Sequence, residues 1–228
     1  MRIYRAQTAT TGTSLYFIEE RAVSTANYVD VVASDKINEP LPSLDWDAPV
    51  DTLKGLVAMP NGMMAAHSGK KLYFCEPWRP HAWPEKYSLT TDYEIVGLGA
   101  FGNSLAVLTT GVPYLVTGTT PDTMAMEKLE LNYPCLSSRG IEDLGYAVVY
   151  PSTDGLVSIS ASGANVITNG VFTRSAWERL RPYTMFSGQR GGRYFATYSR
   201  LDAVEGVIDE TMIIDPSGQQ PFVIHTIS

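Results

Sequence analysis

Residues 55–87 read GLVAMPNGMMAAHSGKKLYFCEPWRPHAWPEKY, and their layout decides the fold because it returns twice further along the chain. Two apolar runs, Met63-Met64-Ala65-Ala66 and Leu72-Tyr73-Phe74-Cys75, are each long enough for a strand. The turn dipeptide Ser68-Gly69 lies between them, and Asn61-Gly62 marks another tight turn just ahead. The same order recurs as Leu105-Ala106-Val107-Leu108, Thr110-Gly111 and Tyr114-Leu115-Val116, and again as Ala147-Val148-Val149-Tyr150, Asp154-Gly155 and Leu156-Val157-Ser158-Ile159. The step from Met63 to Leu105 to Ala147 is about 42 residues each time, within the range of propeller-blade periods.

A fourth, looser copy runs from Arg193-Tyr194-Phe195-Ala196-Thr197-Tyr198, through a loop holding Glu205-Gly206, to Thr211-Met212-Ile213-Ile214-Asp215-Pro216. A lone hairpin cannot bury its own apolar face, whereas sheets stacked radially cover one another. The expected fold is therefore all-β, a propeller-like array of antiparallel hairpin blades over residues 46–228, with four small sheets around a common axis. The same residues also allow a sandwich or barrel with regularly spaced hairpins. One short helix is expected near 173–181, with Thr173 or Ser175 as its cap and Pro182 ending it.

Composition agrees with a packed β protein: 44% hydrophobic residues supply a core, and 19 Gly and 14 Pro fit many turns. A formal charge of −7 argues against a protein that grips nucleic acid by neutralising phosphates. Cys75 and Cys135 have no CxxC spacing and read as reduced, partly buried residues. No apolar run is long enough to span a membrane and the N-terminus lacks a signal-peptide core, so a soluble protein made in the cytosol is expected.

Residues 1–45 have a different character. Arg2-Ile3-Tyr4-Arg5, Leu15-Tyr16-Phe17-Ile18 and Tyr28-Val29-Asp30-Val31-Val32 read as three strands. With the segment Thr25-Ala26-Asn27-Tyr28-Val29-Asp30, they resemble the later half of a fibronectin type III module. Nothing upstream of Met1 supplies that module's first strands, which implies either a larger subunit or a partner chain that completes the sheet. Residues 34–54, rich in Pro and Asp, read as the linker.

The constellations that carry chemistry are sparse. His67, His81 and His225 lack metal-ligand spacing, and no nucleophile elbow, phosphate loop or dinucleotide fingerprint is present. Glu76, Asp92, Glu94, Asp143 and Asp154 are available carboxylates, but sequence alone pairs no two of them. Ser152-Thr153-Asp154-Gly155 reads as an Asp-Gly hairpin turn, and Arg190-Gly191-Gly192-Arg193 as a turn flanked by two arginines. No catalytic residue, cofactor or metal is expected. The candidate interface is Trp78, Arg79, His81, Trp83 and Tyr87 of the stiff Pro/Trp loop, together with Trp177 of the inserted helix.

Taken together, the IYR strand, LPSLDWDAP, residues 55–87, YEIVGLGAFGNSLAVLTTGVPYLVTGT, MEKLELNYPCLSSRGI and GYAVVYPSTDGLVSI resemble the virion proteins of tailed phages, in particular the tail nozzle type, also called tail tubular protein B or tail hub. The resemblance implies a non-catalytic, propeller-containing subunit of a homo-oligomeric ring in the virion tail, assembled in the host cytoplasm beside other tail proteins. DNA would pass through such a ring without tight binding. A rival reading from another class is a glycan-binding or glycoside-cleaving propeller, for which Trp78, Trp83 and Tyr87 would form the sugar platform.

Overall fold

The computed structural model describes residues 1–10, 12–129, 131–202, 206–215 and 222–226, with residues 201–202 and 222–226 described by backbone alone. The chain forms two compact units, Met1–Asp47 and Ala48–Ser228. No helix among the described residues is long and apolar enough to cross a membrane.

The first unit is built on one antiparallel hairpin, β1 (Arg2–Ala9) and β2 (Gly12–Glu20), with a register shift between Ile3 and Tyr4. Tyr4 and Phe17 meet edge-on, 5.8 Å between ring centroids. The outer edge of β2 is lengthened by a short extended piece: the Phe17 N–H donates to Glu39 O and the Leu41 N–H to Leu15 O, each at 2.7 Å. The expected third strand over Tyr28 to Val32 is not formed. Asp30 Oδ1 takes the Val32 N–H at 3.0 Å, and Arg5 reaches both Val32 O at 2.8 Å and Asp30 Oδ2 at 3.2 Å. A side chain that captures a backbone donor two residues on competes with the ladder a strand needs.

The second unit contains four sheets in succession, each with four strands in sequence order. Blade 1 is β3 (Lys54–Ala58), β4 (Met64–Ser68), β5 (Lys71–Phe74) and β6 (Leu89–Thr90). Blade 2 is β7 (Ile95–Phe101), β8 (Ser104–Thr109), β9 (Tyr114–Thr117) and β10 (Ala125–Lys128). Blade 3 is β11 (Glu142–Asp143), β12 (Ala147–Pro151), β13 (Leu156–Ser160) and β14 (Gly163–Val166). Blade 4 is β15 (Phe186–Arg190), β16 (Arg193–Asp202), β17 (Gly206–Ile214) and β18 (Phe222–Thr226). Each apolar run of the repeat falls on a strand, and the looser fourth copy is β16 with β17. Glu205 lies outside the described residues.

The reason the central strands read as continuous apolar runs is that both of their faces are buried. In β8, Leu105 and Val107 pack toward blade 1, while Ala106 and Leu108 pack toward blade 3. In β12, Val148 and Tyr150 face blade 2, and Val149 faces blade 4. Buried clusters thus join blade 1 to 2, 2 to 3 and 3 to 4; among the described residues none joins blade 4 to blade 1. The first strands touch in turn, β3 with β7, β7 with β11 and β11 with β15, and so line the axis. Among the described residues the array is an open, propeller-like arc.

Blades 2 and 3 approach closely at Gly99 of β7, where no side chain stands against Val148. A Cβ on Gly99 would sit 2.5 Å from Val148 Cγ1, inside a contact that real structures do not tolerate. Val148 is fully buried and its β-branched side chain is stiff at χ1, so it cannot move aside. Gly99→Ala is expected to cost about 1–3 kcal/mol, in the manner of an overpacked core. An unchanged urea midpoint would contradict this packing.

The inserted helix α1 spans Arg174–Arg179. Thr173 is its cap, accepting the Ala176 N–H at 3.2 Å, whereas Ser175 lies inside the first turn. Arg181, at φ 52, breaks it before Pro182. Trp177 was an expected interface residue, and here the structure differs. Its side chain is fully buried in the cluster joining blades 3 and 4, and its Nε1–H donates to Ser152 O at 2.7 Å. The apolar side of a short helix packs inward when a groove between sheets is there to receive it.

Candidate functional site

The Pro/Trp loop leaves β5 and closes on itself beside the Asn61-Gly62 turn of blade 1. The Glu76 N–H donates to Ala82 O, the Arg79 N–H to Glu76 O, and the Ala82 N–H to Arg79 O, each at 2.9 Å. Pro77, Pro80 and Pro84 restrict φ and donate nothing, which leaves these few bonds to fix the path. The five loop residues expected at an interface are divided by this path between two environments.

Trp83 points inward. It is 5% exposed, its Nε1–H donates to Pro80 O at 2.9 Å, and it covers Ala66, Tyr73 and Cys75 on the blade face turned away from blade 2. Tyr87 is half-buried, donating its hydroxyl to Glu76 Oε1 at 3.0 Å, and burial followed by that carboxylate raises its pKa. Trp78 points outward and is 74% exposed. Arg79 and His81 are exposed beside it.

Trp78 is also conformationally unusual, with φ 60 in the left-handed region that disfavours bulky residues. Its N–H donates to Gly62 O at 2.9 Å and its ring lies over the Gly62 α-carbon, where a Cβ would come within 2.3 Å of the ring. The Asn61-Gly62 turn has φ 63 and 70, a pair of positive values that Asn and Gly accept. That turn therefore also serves as the seat for Trp78. Two shallow apolar grooves flank the loop, one of about 530 Å³ under Trp78 and one of about 430 Å³ beside Trp83, and they share Met64 and Pro80.

The carboxylates weighed in the sequence are mostly engaged locally. Glu76 holds Tyr87, Asp143 Oδ1 accepts the Gly145 N–H at 2.6 Å, and Asp154 meets Arg174 at 3.5 Å. Asp92 pairs with Lys128 at 2.7 Å, which lowers its pKa. No group of three or more His, Cys, Asp and Glu able to hold a metal occurs among the described residues. Asp154 and Gly155 form the turn between β12 and β13, and Gly191 with Gly192 forms the turn between β15 and β16. Cys75 and Cys135 are free and buried, and burial pushes the Cys135 thiol up to about 12. The His225 side chain lies outside the described residues.

His67 is a polar residue whose position the sequence did not indicate. Its side chain is 5% exposed on β4, opposite Lys54 of β3, and Nδ1 is buried without a hydrogen-bond partner. Burial first, then the Lys54 charge, lowers its pKa, with Glu94 acting in the opposite direction. Between the folded value and the unfolded value near 6.5, the unfolded chain binds more protons, so stability is full above that pH and falls as the pH drops below it. Chemical denaturation across a pH series is expected to show this slope, and His67→Gln is expected to flatten it.

No protein-family model matches the chain, and no curated protein matches it. Among solved structures, the chain is similar to the β-propeller domain of Cps50 (Swd1) from Myceliophteria thermophila, with a TM-score of 0.50 and 12% identity over 96% of this chain and 64% of that one. It also aligns with the N-terminal domain of Nup159 (TM-score 0.34, 11% identity, 79% of this chain and 62% of that one). A eukaryotic initiation factor aligns at TM-score 0.39 and 11% identity, over 100% and 52% of the two chains. The last two superpose too loosely to bear on the fold. The first supports the β-propeller fold and nothing further, and the chain spans less than two thirds of that propeller.

Proposed function

We propose that this protein is a non-catalytic structural subunit of a tailed-phage tail, of the nozzle or hub type, which forms a homo-oligomeric ring beside other tail proteins. The observation that carries this reading is the seat built for Trp78. A large ring is held outward in a strained backbone conformation, next to continuous apolar grooves, on the first blade of an array that among the described residues does not close. Rigid aromatic area of this kind is what interface hot spots use. The hairpin unit adds support, since a two-stranded sheet is marginal by itself. Val23, Val29 and Val31, all more than 70% exposed, would be covered by a neighbouring chain.

The glycan reading is less well supported, because its platform is divided: Trp83 is buried and the Tyr87 hydroxyl is committed to Glu76. The formal charge of −7 fits DNA passage without grip, since clustered cations are what make phosphate binding tight.

Size-exclusion chromatography with light scattering tests the assignment. The wild type is expected to self-associate or to co-purify with a tail protein. Trp78→Ala is expected to abolish that association with an unchanged melting temperature, because a ring 74% exposed contributes little to the monomer's core. A wild-type chain that stays monomeric and captures no tail protein would sink the proposal, as would turnover of any polysaccharide or tight binding to duplex DNA at low salt.

A further inference from the structure

Where the first strands of blades 1 to 3 converge, a cavity of about 940 Å³ opens on the axis. Its wall is apolar along Leu56, Ile95, Leu98 and Ile141, and its rim carries Asp51, Lys54 and Glu94. Both flanking strands are bulged there: β3 shifts register between Lys54 and Val57, and β7 between Ile95 and Gly97. Such bulges take peptide groups out of the ladder and are over-represented beside functional sites. His67 completes the lining, with its buried Nδ1 unpartnered. Its ring edge lies against Gly55, at φ 62, where a Cβ would stand 2.9 Å from the imidazole.

The charges define what fits. Asp51, Lys54 and Glu94 are exposed at the rim, and none of them forms an ion pair among the described residues. A simple anion would meet two carboxylates, and a simple cation would meet the lysine. A molecule carrying both signs satisfies all three. We propose that this cavity binds a small zwitterion with an apolar side group, that is, a free α-amino acid or a short peptide. Its carboxylate pairs with Lys54, its ammonium lies between Glu94 and Asp51, and its side group rests on Leu56, Ile95 and Ile141.

The inference does not rest on the ring assignment, although the cavity shares Lys54, Gly55 and Leu56 with the groove beside Trp83; Trp78 is not part of its lining, so Trp78→Ala leaves it untouched. The experiment is ligand-observed NMR on the full chain with leucine, phenylalanine and the dipeptide Leu-Leu. Acetate, butylammonium and a neutral sugar serve as controls with one charge or none. Expected is binding of a zwitterion in the millimolar range or tighter, weakened at least about tenfold by Lys54→Met and by Glu94→Gln. Both side chains are exposed, so melting temperatures are expected to hold and loss of binding reports the site. Preference for the dipeptide over the free amino acids would identify the source as a peptide. Equal binding of acetate or butylammonium, preference for the sugar, indifference to both variants, or no binding of any zwitterion would overturn the proposal.

Discussion

Trp177→Ala is expected to lower the unfolding free energy by about 3–5 kcal/mol, the range for removing a large aromatic from a core. Trp177 is fully buried between blades 3 and 4, with Phe172 tilted against it at 5.8 Å between centroids. Its loss opens a cavity lined by stiff strands that cannot collapse inward, and it strands the Ser152 carbonyl that received the indole N–H. Trp177→Phe separates the two contributions, since it keeps most of the volume and removes the donor. That variant is expected to cost about 1–3 kcal/mol, the penalty of an unsatisfied buried acceptor. Urea denaturation followed by far-UV circular dichroism is the measurement. A cost for Trp177→Ala no larger than that of an exposed tryptophan would mean that the helix does not bridge the two blades.

Trp83→Ala is expected to have an effect of the same size, about 3–5 kcal/mol, for a different reason. Trp83 takes the place of a neighbouring blade: it covers Ala66, Tyr73 and Cys75 on the face of blade 1 that no other described sheet covers. Removing it bares that face and releases the loop bond from Nε1 to Pro80 O. The comparison with Trp78→Ala is decisive, because the two tryptophans lie five positions apart in one loop and differ from 5% to 74% in exposure. Trp83→Ala is expected to lose stability in the monomer, and Trp78→Ala to lose association alone. Equal thermal shifts in the two variants would remove the division of labour in the loop.

The sequence alone determined the central strand pair of each sheet and left a sandwich open beside the propeller, while the outer strands of each sheet were not legible in it. Runs such as Leu105 to Leu108 and Ala147 to Tyr150 are continuously apolar because each strand is covered on both faces, and the Gly-marked turns between them fix where each chain reversal falls. Local chemistry also placed the inserted helix and offered Thr173 as one of its two possible caps. Only the tertiary structure decided which aromatics are free. Trp78, Trp83 and Trp177 look alike in a sequence, and their fates depend on the left-handed backbone at Trp78, on a blade face left for Trp83 to cover, and on the groove between blades 3 and 4 that accepts Trp177. Residues 28–32 stay outside any strand because Arg5, brought in from β1, takes Val32 O and Asp30 while Asp30 locally takes the Val32 N–H, and the tertiary structure alone placed His67 at an axial cavity that exists only once β3 and β7 converge. Periodicity reports which faces of an element are apolar. It does not report what lies opposite those faces, and exposure is set by that neighbour.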